Sequence, residues 1–209
     1  MASRSTSFRS APTSRVIPPW QGWDEAIFRQ IHLSWRHPAL DPIFRGLTDP
    51  GKLMLPTLLV LLGCFWMKGR RGVLGLLVLA LAIGASDQTS AKLLKPIFQR
   101  QRPSVLLADS QPLFGVRGSY SFPSVHATNA FASAVVLDAV FPGARVAFVA
   151  LAALVSYSRI YVGDHWPSDV LAGALLGSLI GLGARVLFMR LVARWDGPRR
   201  AGGTPSAGP

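Results

Sequence analysis

The chain has 209 residues, the size of one domain, and half of them are hydrophobic, with a mean hydropathy of +0.34. Only 15% are charged, against about a quarter in an average soluble domain, which argues against an ordinary soluble protein. The formal net charge is +12, but the basic residues lie between apolar runs and at the chain ends, not in a stripe with interleaved aromatics, so a nucleic-acid partner is not expected.

Residues 1–21 read as a disordered N-terminal tail. The first 19 are rich in Ser, Arg and Pro and lack the apolar core of a signal peptide, although the composition also suits a transit peptide. Residues 22–36, GWDEAIFRQIHLSWR, set Ile27, Ile31, Leu33 and Trp35 among charges, the pattern of an amphipathic helix lying in a membrane interface. Residues 37–52 hold Pro38, Asp41, Pro42, Asp49 and Pro50 and are expected to turn. Apolar stretches follow, and FPGAR at 141–145 divides the longest of them. A crossing needs about 20 residues. With flanking residues recruited, five membrane helices are predicted at roughly 48–67, 72–95, 125–141, 144–162 and 166–192. Cys64, the only cysteine, is expected to be a packing residue within the first. Residues 195–209 read as a second disordered tail, leaving 22–194 as one membrane-embedded domain.

A soluble helical protein with unusually apolar helices is the competing reading. The last helix decides against it: AGALLGSLIGLGA has no charge, and its glycines weaken a soluble helix but let membrane helices approach closely. The fold class is therefore all-α, a polytopic membrane helix bundle of about five spans plus an interfacial N-terminal helix. The KGRR loop at 68–71, PGAR at 142–145 and the arginine-rich C-terminal end fall on one side, which the positive-inside rule makes cytoplasmic. The loops at 95–125 and 158–166 then face outward, although the arginines of the N-terminal tail oppose this orientation.

Those two outward loops carry the unusual polar residues. The first opens with KPIFQRQRPS, in which Lys95, Arg100 and Arg102 close the second helix. Basic side chains there can snorkel to headgroups, the reading favoured for Arg100 taken alone. The loop closes with SFPSVHATNAF, where Ser124 is a helix N-cap candidate and His126 falls in the first turn, next to exposed N–H groups that suit an anion. The second loop, SRIYVGDHWPSD, supplies Arg159, His165 and Asp169. His165 and Asp169 are four apart, so on a helix the carboxylate reaches the imidazole, fixes its tautomer and makes the other nitrogen a nucleophile. Alternatively the pair only anchors a helix start, which Pro167 suits. Two arginines and a lysine match the three oxygens of a phosphoryl group. Two His and one Asp resemble part of a zinc site, but three neighbouring cations would repel the metal, so no metal or other cofactor is expected.

Together these segments resemble the type 2 phosphatidic acid phosphatase superfamily, which carries K-x6-RP, PSGH and SR-x5-H-x3-D. They read here as Lys95–Arg102–Pro103, Pro123-Ser124-Val125-His126, and Ser158-Arg159 with His165 and Asp169. The resemblance covers about residues 22–190 and implies an active site shared with vanadium-dependent haloperoxidases. It implies His165 as a nucleophile forming a phosphohistidine, Asp169 orienting it, and His126 as general acid. Lys95, Arg102, Arg159, Ser124 and the backbone at Val125 would hold phosphate. Val125 stands where the family has glycine; a helical backbone there would suit it. The sequence assigns Asp164 no role, capping the last helix being its plainer reading, and Asp87 and Asp138 are expected to be interhelical or interfacial partners, with Asp87 in a position to steady Lys95.

The expected function is an integral-membrane lipid phosphate or diphosphate phosphatase that needs no metal, with a phosphorylated lipid as partner. It resembles the compact bacterial lipid A 1-phosphatases and undecaprenyl diphosphatases, which implies a bacterial inner membrane and a periplasmic site. The alternative is a lipid phosphotransferase that passes the phosphoryl group to another lipid. A catalytically silent relic of the family is a third reading, and Val125 is the only residue that encourages it.

Overall fold

The computed structural model describes residues 21–49, 58, 59, 61–63 and 65–196, and every regular element among them is helical. Residues 50–57, residue 60 and Cys64 of the helix expected at 48–67, and most of both tails, lie outside the described residues. Helix α1 spans Gly22–Arg29 and continues through a wide π-turn at Gln30–Ser34. Its polarity is inverted relative to a soluble protein. Asp24, Phe28, Ile31 and His32 are buried, whereas Trp23, Ile27, Leu33 and Trp35 are exposed, as an interfacial helix requires.

Residues 37–52 hold more helix than expected: α2 spans Asp41–Thr48. Pro42 lies in its first turn, where no backbone donor is needed, so the proline that signalled a turn instead starts a helix. Helix α3 covers Gly69–Asp87, and the chain stays helical through wide turns at Gln88–Leu94 and one regular turn at Lys95–Phe98. The widened turns precede Pro96, whose ring and missing N–H disrupt regular α pairing. The run ends at Gln99, whose φ of 45° reverses the chain. After the short helix α4 (Pro103–Leu106) come α5 (Val125–Val140), α6 (Arg145–Tyr161) and α7 (Pro167–Trp195).

The helices beginning at Gly69 and Pro167 are long and apolar enough to cross a membrane. Helices α5 and α6 have 16 and 17 residues. At 1.5 Å per residue they reach only about 25 Å, short of a hydrocarbon core of about 30 Å without flanking residues. Leu77 and Leu81 on α3, and Leu171, Leu175, Leu179 and Leu182 on α7, point outward and exposed.

The inner face of α7 is built of small residues. A Cβ on Gly173 would meet the Ser124 carbonyl at 2.6 Å, and one on Gly177 the Thr128 carbonyl at 2.1 Å. One on Gly181 would meet the Val135 side chain at 2.8 Å and the Ala132 carbonyl at 2.9 Å. This stripe, four residues apart, lets α7 lie directly on the α5 backbone. The close approach fixes the start of α5 against the start of α7, where the Ser124 N–H donates to the Asp169 carbonyl at 3.0 Å.

Consecutive helices run antiparallel. The end of the α3 run, the start of α5, the end of α6 and the start of α7 therefore meet at one end of the bundle. α1 closes that end, adding Phe28 and Ile31 to a buried cluster with Tyr161, Val162 and Trp166. It also holds the 107–124 loop: Arg29 pairs with Asp109, and Arg36 donates to the Gln111 carbonyl at 2.9 Å.

Candidate active site

The segment after α6 is a tight reverse turn. The N–H groups of Asp164 and His165 both point to the Arg159 carbonyl, at 3.1 and 3.3 Å. Gly163 makes the turn possible with φ +87°, and a Cβ there would strike the ring of His32 at 2.8 Å. His32 donates from Nδ1 to the Tyr161 carbonyl at 2.7 Å, so the interfacial segment braces the turn. Arg159 and His165 thus emerge side by side, both buried.

His165 lies just before α7, while Asp169 is in that helix's first turn. The expectation of one helical face is corrected accordingly: the two meet across a helix start. Nδ1 of His165 is 3.6 Å from Asp169 Oδ2, an electrostatic contact longer than a hydrogen bond. On its other side, Nε2 faces Arg102 Nη1 at 3.3 Å. A guanidinium can only donate, so Nε2 carries the lone pair and the ring proton sits on Nδ1, toward the carboxylate. Burial, and then the charges of Arg102 and Arg159, push the His165 imidazole well below its usual range, so it is neutral. A neutral ring with its Nε2 lone pair beside a fixed guanidinium has the chemistry to act as a nucleophile toward an anion held there.

The cations differ in how they are held. Arg102 is buried and anchored: Nε and Nη2 donate to Ser119 at 2.8 and 3.0 Å, and Nη1 to the Asp164 carbonyl at 2.7 Å. Lys95 donates to the Tyr120 carbonyl at 2.7 Å. Arg159 is fully buried; its Nη2 pairs with Asp164, while its Nε and Nη1 have no hydrogen-bond partner among the described residues. The Ser124 hydroxyl is likewise buried and has no partner among the described residues: Ser124 is the N-cap residue by position, but its side chain makes no capping bond. Unsatisfied buried donors are costly, so these three at one site mark a place for an acceptor. Val125 opens α5 with helical backbone, a conformation that a β-branched residue tolerates. His126, one residue on, lies in the electrostatic field of Arg159, His165, Arg117 and Lys95. All eight site residues expected from the sequence therefore converge.

Several expectations are corrected. Asp164 does not cap α7; it is buried against Arg159, with Arg117 at 3.6 Å. Trp166 takes the cap position instead, its N–H donating to Asp169 Oδ2 at 2.9 Å. Arg100 does not snorkel. It pairs with Asp24 of α1 and donates to Asp169 Oδ1 at 2.7 Å and Ser168 Oγ at 2.6 Å. Asp87 accepts from Asn129 at 2.8 Å, an interhelical bond from α3 to α5, and leaves Lys95 to the Tyr120 carbonyl. Asp24, Arg117 and Ser119 escaped the sequence reading. Asp24 is 144 positions from the Ser168 it binds, and no local spacing reports such a contact.

Fold and site define a protein whose described residues form only helices, with a cationic, histidine-bearing cluster where four helix ends meet. The chain belongs to the PAP2 superfamily, whose model matches residues 72–193. Phosphatidylglycerophosphatase B of Bacillus subtilis is 34% identical over 177 residues, covering 77% of this chain and 80% of that protein. Lipid A 4'-phosphatase of Porphyromonas gingivalis is 28% identical over 169 residues, covering 78% of this chain and 72% of that protein. The crystal structure of a transmembrane PAP2-type phosphatidylglycerolphosphate phosphatase from Bacillus subtilis matches with a TM-score of 0.65 and 30% identity, over 84% of this chain and 89% of that one.

Proposed function

We propose that this chain is an integral-membrane phosphatase that cleaves phosphate monoester or diphosphate bonds of membrane lipids through a phosphohistidine, without a metal. The observation that carries the reading is the His165 ring, neutral and with its Nε2 lone pair against Arg102, beside the unpartnered donors of Arg159 and Ser124. In this reading Arg102, Arg159, Lys95 and Ser124 hold the phosphoryl oxygens and stabilise charge developing there. Nε2 attacks phosphorus and the bond to the lipid oxygen breaks, with His126 giving that oxygen a proton. Water, giving its proton to His126, then displaces His165 and releases inorganic phosphate. Asp169 steadies the positive ring formed between the two steps.

Five membrane crossings fit the same reading, with the site on the outer face of a bacterial inner membrane. The supporting observation is the opposite end of the bundle, where Arg71, Arg145 and Arg185 gather around Asp196 and Asp138 in the arginine-rich pattern of a cytoplasmic face. The test is phosphate release by detergent-purified protein from a panel of lipid phosphates and diphosphates, in EDTA, with His165→Ala beside it. Release from one lipid class that the variant loses supports the reading. Release that EDTA abolishes ends the metal-free mechanism, and phosphorylated acceptor lipid in place of free phosphate makes the chain a transferase.

A further inference from the structure

We infer that Asp24 and Arg100 are positioning residues that aim the Asp169 carboxylate at His165, so that the interfacial helix α1 is part of the catalytic apparatus. The inference rests on the proposed nucleophilic role of His165. It starts from how the two Asp169 oxygens are used. Oδ2, the oxygen facing His165 Nδ1, is held by the Trp166 N–H at 2.9 Å. Oδ1 is held by Arg100 Nη1 at 2.7 Å. With one oxygen fixed from each side, the carboxylate cannot rotate away from the ring.

Arg100 is itself fixed from α1. Its Nη2 pairs with Asp24, which is fully buried and also accepts the Ser168 N–H at 2.8 Å and the Ser168 hydroxyl. Asp24 therefore binds the first turn of α7 and the arginine that grips Asp169 at the same time. The arrangement is electrostatic as well as mechanical. Asp24 offsets the charge of Arg100, so the field at the imidazole stays more negative than it would be beside an arginine paired with Asp169 alone. Burying one more acid under an otherwise lipid-facing helix is costly, and a purely apolar contact would anchor α1 more cheaply.

The test compares kinetics of the full chain for Asp24→Asn, Arg100→Lys, Asp169→Asn and the two doubles that pair the first or second change with the third. Asp24→Asn should lower kcat by about 10²-fold, the effect of a small misplacement of a reacting group, with the KM for lipid phosphate and the inhibition constant of inorganic phosphate nearly unchanged. In the Asp169→Asn background the same change should cost almost nothing further, because Asp24 acts through that carboxylate. Losses that multiply in the double overturn the inference, as does wild-type activity in Asp24→Asn. If Asp24→Asn fails to fold, Arg100→Lys carries the same cycle. A readout independent of turnover is the nitrogen NMR signal of His165: its Nδ1–H should shift in Asp24→Asn and not in Asp138→Asn. A silent wild-type enzyme would sink the proposed function, whereas an unshifted Nδ1–H in an active one would sink only the positioning role.

Discussion

The two ends of this bundle use the same residue types for opposite purposes. At the end away from the site, Asp138 accepts from Arg145 at 2.9 Å and Arg185 at 2.5 Å, and Arg71 pairs with Asp196. Those arginines are open to the surroundings, with Arg145 67% exposed at its side chain. At the site end, Arg159 is 1% exposed, is paired with a buried Asp164, and still has two nitrogens with no partner among the described residues. An exposed ion pair lets the surroundings satisfy whatever the partner does not, and it contributes little to stability. A buried arginine with spare donors has no such recourse and is satisfied only by what enters the site. Leftover hydrogen-bonding capacity, not the presence of charge, separates the functional end from the structural one.

That distinction can be broken by mutation. His165→Ala should abolish turnover, by at least about 10⁴-fold, while the protein still inserts and folds. Substantial residual phosphate release would remove His165 as nucleophile. Arg159→Ala should come next, with a loss of about 10²- to 10³-fold, since it removes donors kept for developing charge. If Arg159 only neutralised Asp164, Asp164→Asn combined with Arg159→Ala would restore activity, and steady-state rates would show it.

Gly177→Ala probes how the two ends are held in register. Its Cβ would fall 2.1 Å from the Thr128 carbonyl, so α5 must move. We expect a stability loss of about 1–3 kcal/mol by thermal or denaturant unfolding in detergent, with a smaller fall in rate as Ser124 and His126 shift. Unchanged stability would mean that α7 does not pack on α5 as described.

His165 should also behave unlike an exposed histidine on titration. Its depressed affinity for protons means that the ring stays neutral as pH falls through the ordinary range near ~6.5. The folded state then binds fewer protons there than the unfolded chain. The stability contribution is fully present above ~6.5 and declines as pH drops below it. The His165 ring resonances, assigned by difference from His165→Ala, should not move between pH 7.5 and 6; a midpoint near 6.5 would contradict the buried, cation-flanked setting. The smallest effect belongs to the other end. Asp138→Asn should leave phosphate release within about twofold of wild type, as expected for a substitution away from the reacting groups. A large loss there would erase the contrast between the two ends.

Much of this was legible in the sequence because the information is local. The apolar runs broken at FPGAR put α5 and α6 within a residue or two of their expected limits. The glycine spacing of the last helix announced a close contact, which the Gly173–Gly177–Gly181 stripe makes on α5. The spacing of the three motifs named eight residues, and the structure brings them to one end of the bundle. Residues 41–48 were misread because Pro42 is equally at home in a turn and in a first helical turn. Arg100 was misread because snorkelling is the ordinary fate of an arginine at a helix end, and its true partner, Asp24, is 76 positions away.

What the sequence determined by itself, then, is the class of fold and the chemical inventory: apolar helices, two of them of membrane length, with two histidines, a carboxylate and three cations in recognisable motifs. Periodicity and motif spacing encode these directly, since each depends on residues a few positions apart. Only the tertiary structure decided which arginines have donors to spare, which nitrogen of His165 carries its lone pair toward Arg102, and that helix α1 reaches Asp169 through Asp24 and Arg100. Those are questions of burial and pairing between distant segments. A hydrogen bond is assigned only when both partners are placed, and it is the packing of α3, α5, α6 and α7, with α5 and α7 starting at the same end, that places them.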